Sequence, residues 1–247
     1  MSESAATPPR PLEGRVALVT GASRGIGAAA AVELGRLGAH CVLVARTQGG
    51  LEETDDAIQA AGGRPATLLP LDLVKDAEKI DSIGPSVVTR FGRLDILVHA
   101  AGVLNKLTPV AHIEPQDWAQ TVAVNMSAAW RLIRTCDPPL RASDAGRAVF
   151  VTTGRVREPR AYWGLYGATK AGAEHLVQTW AQEVTKTRLR VNLFDPGVVA
   201  TKLRAQAFPG EDPATLVKPA QVAPALVALC LPGEARLGEV VRFAGTP

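Results

Sequence analysis

Seven short apolar runs rich in β-branched residues alternate with longer amphipathic stretches, and this pattern restricts the possible folds more than any other feature. The runs are Val16–Thr20, Cys41–Ala45, Thr67–Leu71, Ile96–Ala100, Ala148–Thr152, Arg190–Phe194 and Val240–Phe243. Helical spacing marks Gly25–Leu37, Leu51–Ala61, Asp76–Phe91, Pro115–Thr135, Leu165–Thr185 and Pro219–Leu229 between them. Most runs are apolar throughout, as in Val16-Ala17-Leu18-Val19, so each needs cover on both faces. Strands of that kind joined through helices make parallel crossovers. The expected fold is therefore α/β, a doubly wound parallel sheet with helices on both faces. Ligands bind such sheets beyond the carboxyl ends of the strands.

Length and composition narrow the reading further. A chain of 247 residues suits one large domain, expected here over residues 14–247. Residues 1–13, with three prolines and no apolar stretch of signal-peptide length, read as a disordered leader. The formal net charge is only +3, which does not mark a nucleic-acid binder. No apolar run approaches the roughly 18 residues of a membrane span. Cys41, Cys136 and Cys230 lie far apart, which indicates neither a metal site nor a disulfide framework. A reducing, cytoplasmic setting is the default for such a chain. The Pro- and Gly-rich stretch 195–218 reads as a mobile segment that covers substrate.

Directly after the first strand comes Thr20-Gly21-Ala22-Ser23-Arg24-Gly25-Ile26-Gly27. Gly21 suits the tight turn, Gly25 lets backbone approach a pyrophosphate, and Gly27 lets the helix pack close to the sheet. The helix that begins there directs free N–H groups at the phosphates. NAD-binding folds usually place an acid at the end of the second strand to hold the ribose 2′-OH. Here that strand ends Val44-Ala45-Arg46, and Arg24 with Arg46 suits a 2′-phosphate instead. NADP(H) is expected over NAD(H). The same turn also reads Gly-x-Ser-x-Gly, the nucleophile elbow of α/β-hydrolases with Ser23 as nucleophile. That alternative lacks an upstream βα loop to supply a second oxyanion donor.

A second constellation lies near the fifth strand. Tyr166 and Lys170 stand four apart at a helix start, on one face. A neighbouring ammonium, helped by nicotinamide charge in the oxidised complex, lowers the pKa of a phenol, making Tyr166 a general acid for carbonyl reduction or a base for alcohol oxidation. Thr153, at the end of the preceding strand, offers a hydroxyl to the same substrate oxygen.

Taken together, these motifs resemble the short-chain dehydrogenase/reductase family over residues 14–245. The resemblance implies a Rossmann fold binding a nicotinamide cofactor and a reaction between a carbonyl and a secondary alcohol. It implies cofactor contacts from the Gly21–Gly27 turn, including Ser23 and Ile26. Asp72 would meet the adenine beside Leu73, and His99-Ala100-Ala101-Gly102 stands where the family has an Asn-Ala-Ala-Gly element. Pro196, Gly197, Val199 and Thr201 would contact the nicotinamide carboxamide region, and Tyr166 and Lys170 would touch both cofactor and substrate. Asn125 would join a proton relay. It also implies a homo-oligomer, a dimer or tetramer.

Two departures stand out: Thr153 replaces the usual serine, and His99 replaces an asparagine. They leave open a catalytically weak NADP(H)-binding sensor or assembly protein of the same fold. Substrate contacts are expected from Leu104, Val156, Tyr162, Trp163, Val198, Leu203 and Phe208. Arg155, Arg157 and Arg160 form either a solvated loop or a site that attracts an anionic substrate.

Overall fold

Each apolar run forms a strand in the computed structural model, which describes residues 10–245. The strands are β1 (Val16–Thr20), β2 (His40–Ala45), β3 (Thr67–Pro70), β4 (Ile96–His99), β5 (Arg147–Val151), β6 (Arg190–Asp195) and β7 (Val240–Arg242). They build one sheet in the order β3-β2-β1-β4-β5-β6-β7, and every pairing is parallel. The chain runs outward from β1 to β3, then returns to lay β4 on the other side of β1. That reversal opens a crevice beyond the carboxyl ends of β1 and β4.

Side chains along each strand alternate between two cores, as the period of two demands. Ala17, Val19, Leu43 and Val98 pack with α1 (Gly25–Arg36), α2 (Gln48–Ala60) and α9 (Pro219–Ala228). Leu18, Val42, Leu97 and Phe150 pack with α4 (Ile83–Phe91), α6 (Ala128–Ala142) and α7 (Gly164–Glu183). Both faces are covered, which explains the unbroken apolar runs.

Two of the expected helical spans are each interrupted. Asp76–Phe91 is two helices, α3 (Ala77–Ile80) and α4, because Pro85 lacks an N–H and its ring excludes a regular turn back to Asp81. Pro115–Thr135 is α5 (Pro115–Val122), a π-helical segment Ala123–Ser127, and α6, which continues to Ala142. Pro139 supplies no N–H to the Thr135 carbonyl, and Gly84 packs against that oxygen, where any β-carbon would overlap it. The stretch 195–218 holds α8 (Lys202–Ala207), a 3-10 turn at Pro213–Thr215, and a parallel bridge between Val199 and Val217.

Residues 1–9 of the expected leader lie outside the described residues. The remainder corrects that expectation, since Leu12 is 0% exposed in the core beside α1 and its N–H donates to the Leu37 carbonyl. Arg10, which donates to the Gly62 carbonyl at 2.6 Å, and Glu13, which pairs with Arg64, tie the same segment down. Leu12→Ala is expected to cost about 2–5 kcal/mol of unfolding free energy, measured by urea denaturation. A neutral result would show that the segment is not docked.

Candidate active site

The glycine turn lies at the crevice between β1 and β4 and packs against Ala101. Gly21 sits at φ +67°, and a β-carbon there would lie 2.7 Å from the Ala101 nitrogen. A β-carbon on Gly27 would overlap the Gly21 carbonyl oxygen. Both positions therefore admit only hydrogen, the first for turn and close approach, the second for helix packing. Arg24 precedes α1 in extended conformation without a side-chain cap, and no acid lies in the first helical turn. The N-terminal N–H groups of this helix thus face the crevice without a side-chain cap.

A cavity of about 520 Å3 runs from this turn to the ends of β5 and β6. Every expected cofactor residue lines it: Gly21 and Ser23 to Gly27, Arg46, Asp72 and Leu73, Ala100 to Gly102, Tyr166, Lys170, Pro196, Gly197, Val199 and Thr201. Thr153 lines it as well. A cradle walled by the Gly21–Gly27 turn at one end and bearing exposed Arg24 and Arg46 fits a dinucleotide. Asn125 lies behind the wall, 1% exposed, within the π-helical segment. It exchanges two hydrogen bonds of 2.9 Å with the backbone of Val103 and donates to Thr169 Oγ1 at 3.2 Å. Its amide clamps the loop after β4 to α7.

Tyr166 and Lys170 start α7 and are both buried. Lys170 Nζ donates to the Val151 carbonyl at 2.9 Å, and burial pulls its pKa down to about 8. For the chain by itself, Lys170 does not acidify the phenol. Burial pushes the Tyr166 pKa up to about 12, and the Asp195 carboxylate pushes it the same way. Helical spacing places the two side chains on one face but says nothing of the desolvation that dominates here.

His99 is a core residue. Its Nδ1 lies 2.7 Å from Thr20 Oγ1, and its ring packs on Phe150 with centroids 5.3 Å apart. Burial and the nearby Lys170 hold it neutral down to about 3. The hydrolase alternative finds no support in the geometry: among the described residues no histidine hydrogen-bonds to Ser23, the bonded ones pairing His40 with Thr67 and His99 with Thr20.

Of the expected substrate contacts, Trp163, Val198 and Leu203 line the cavity, and Phe208 lines the hollow beside it. Leu104 is buried, Val156 does not reach the cavity, and Tyr162 is 58% exposed at φ +73°. Of the three arginines after β5, Arg155 lines the cavity, and Arg157 and Arg160 are exposed. Arg155 pairs with Glu158, Arg157 with Glu174 and Asp195, and Arg160 lies over the Phe208 ring. Asp195 itself escaped sequence reasoning. A carboxylate directly before Pro196-Gly197 was its only signal.

No helix among the described residues is long and apolar enough to cross a membrane. No group of three or more metal-ligating side chains occurs among them either.

Comparison with known proteins agrees with this geometry. The short chain dehydrogenase family profile matches residues 15–212. An uncharacterized oxidoreductase of Escherichia coli K12, YciK, is 38% identical over 86% of this chain and 84% of its own length. A Shigella flexneri crystal structure in complex with NADP superposes with a TM-score of 0.89 at 35% identity, covering 94% of this chain and 98% of that one. A structure from Escherichia coli CFT073 in complex with NADPH gives 0.90 at 35% identity, covering 96% and 99%. With the parallel sheet, the glycine turn and this cavity in place, the chain belongs to the short-chain dehydrogenase/reductase family of nicotinamide-dependent oxidoreductases.

Proposed function

We propose that the protein is an NADP(H)-dependent carbonyl reductase, acting in reverse as a secondary-alcohol dehydrogenase, with Tyr166 as its acid/base. One observation carries this reading: Thr153, Tyr166 and Lys170 share the cavity that the Gly21–Gly27 turn also lines. The nicotinamide supplies the hydride when the dinucleotide is bound. The chain's own residues handle the proton and the orientation.

Tyr166, with its pKa raised, is neutral at pH 7, the form that can give a proton to a carbonyl oxygen. The Thr153 Oγ1 accepts from the Arg155 N–H at 3.3 Å, which leaves its own hydrogen free to donate to the same oxygen. Lys170 spends one N–H on the Val151 carbonyl and keeps two for the ribose hydroxyls and the phenol. In this reading Asn125, its amide held by Val103 and Thr169, serves the proton relay through its backbone and water. Asp72 lines the adenine end of the cavity, its Oδ1 accepting from the Val74 N–H at 2.8 Å.

The preference for NADP(H) rests on Arg24 and Arg46, both exposed at the cavity rim with no carboxylate at the end of β2. The NADP and NADPH complexes of the two similar structures support it. Arg46→Asp is expected to weaken NADPH binding by about 10- to 100-fold, from the loss of a charge-assisted bond and the gain of a like charge, while NADH binding holds or improves. Fluorescence titration with each cofactor measures both. Unchanged NADPH affinity would remove the clamp from the reading.

A spectrophotometric panel of aldehydes and ketones with NADPH and NADH side by side tests the activity. Cofactor binding without turnover across the panel would select a sensor instead.

A further inference from the structure

The turn after β5 carries Thr153, and one side chain within it reaches two neighbouring segments. Arg157 Nη2 donates to Asp195 Oδ2 at the end of β6, at 3.0 Å, and its Nη1 donates to Glu174 Oε1 on α7, at 3.4 Å. Both acids are buried, their side chains 8% and 9% exposed. Each commits its second oxygen to a segment of the site. Asp195 Oδ1 accepts from the Gly197 N–H at 3.2 Å, in the turn where Gly197 sits at φ +69°. Glu174 Oε2 accepts from Thr152 Oγ1 at 2.6 Å, one residue before Thr153.

A buried carboxylate stripped of its partner is strongly destabilising, and a planar guanidinium can serve two acids at once. Arg242 Nε also approaches Asp195 Oδ2, at 3.7 Å, but among the described residues no cation other than Arg157 pairs with Glu174. The backbone draws the same turn together, since the Arg157 N–H donates to the Gly154 carbonyl at 3.1 Å. Thr153 is therefore held from two directions: its Oγ1 accepts from the Arg155 N–H, and Glu174 grips the strand end beside it through Thr152.

We propose that Arg157 is a positioning residue for Thr153: by bridging Glu174 and Asp195 it fixes the strand end that presents the Thr153 hydroxyl and ties that end to the Gly197 turn. The assignment rests on the substrate contact proposed above for Thr153. It adds a residue that does not itself line the cavity, so its effect on turnover must pass through these contacts.

Arg157→Lys keeps a positive charge but gives up the two-pronged fork, so it tests the bridge rather than the charge. It is expected to lower kcat for carbonyl reduction by about tenfold while NADPH affinity stays within about threefold. In a Thr153→Ala background the same change should cost less than about twofold, because residues that act as one unit are not additive. Thr152→Val breaks the last link with every charge in place; it should repeat this pattern, and it decides alone should the lysine variant not fold. Hydrogen exchange of the full chain, with and without NADPH, gives a second readout that needs no turnover. Arg157→Lys should speed exchange about tenfold or more in residues 152–157 and 195–199, and Thr152→Val in 152–157 only, with β1 and α1 unchanged in both. An equal loss of kcat with and without Thr153, faster exchange throughout the chain, or no change in either variant would overturn the proposal. A parent protein without turnover would sink the carbonyl reading alone, and the exchange pattern would still decide whether Arg157 ties the two turns.

Discussion

Tyr166→Phe is expected to lower kcat/KM for carbonyl reduction by about a hundred- to ten-thousand-fold, the usual worth of a positioned general acid. The substitution removes one oxygen and keeps the ring, which packs edge-on against Trp163 with centroids 5.8 Å apart. Folding should therefore be preserved, and NADPH affinity should stay within about threefold, since the loss belongs to the transition state rather than to uniform binding. Stopped NADPH oxidation beside an unchanged binding isotherm is the decisive pair of measurements. Retained turnover would remove the phenol from the chemistry and leave Thr153 or a water to donate the proton.

Gly27→Ala has the largest expected effect on the protein as a whole. The new methyl would overlap the Gly21 carbonyl oxygen, which is backbone and cannot swing away like a side chain. Either α1 moves off the sheet or the Gly21 turn shifts. Overpacking of this kind costs about 3 kcal/mol or more, which lowers the melting temperature of a domain this size by about 6–12 °C. NADPH binding should fall with it, because the displaced turn lines the phosphate end of the cavity. Gly49→Ala provides the contrast. It lies in α2 with no atom within 4 Å of the added carbon, so the same change there should stabilise by about 0.5–1 kcal/mol. Equal melting temperatures for the two variants would show that the close approach at Gly27 is not real.

The two expectations draw on features of unequal legibility. The glycine turn was readable because its demands are local: a tight turn, then a helix pressed to a strand, over seven consecutive residues. The Tyr166–Lys170 pair was readable for the same reason, since one helical turn brings positions four apart together. The electrostatic state of the pair was not readable. Burial of the phenol and the presence of Asp195, 29 positions away in the chain, set it, and neither follows from spacing. Hydrogen bonds run from Thr152 through Glu174, Arg157 and Asp195 to Gly197, and no motif marks that chain of contacts. Among the arginines after β5, Arg155 and Arg157 pair with carboxylates that spacing did not single out.

From its sequence by itself, the chain determined seven doubly covered strands, their parallel crossovers, and the cofactor turn at the head of the first βαβ unit. It also determined that Tyr166, Lys170 and Thr153 would follow the fifth strand, because each of these depends on near neighbours and on a repeating pattern of apolar residues. Tertiary structure decided the docking of Leu12, the neutral core role of His99, the order within 195–218 and the proton affinity of Tyr166. Each of those turns on which distant groups exclude water from a site and which charges they bring to it. Desolvation and Coulomb energy depend on distance through space, and folding alone sets that distance.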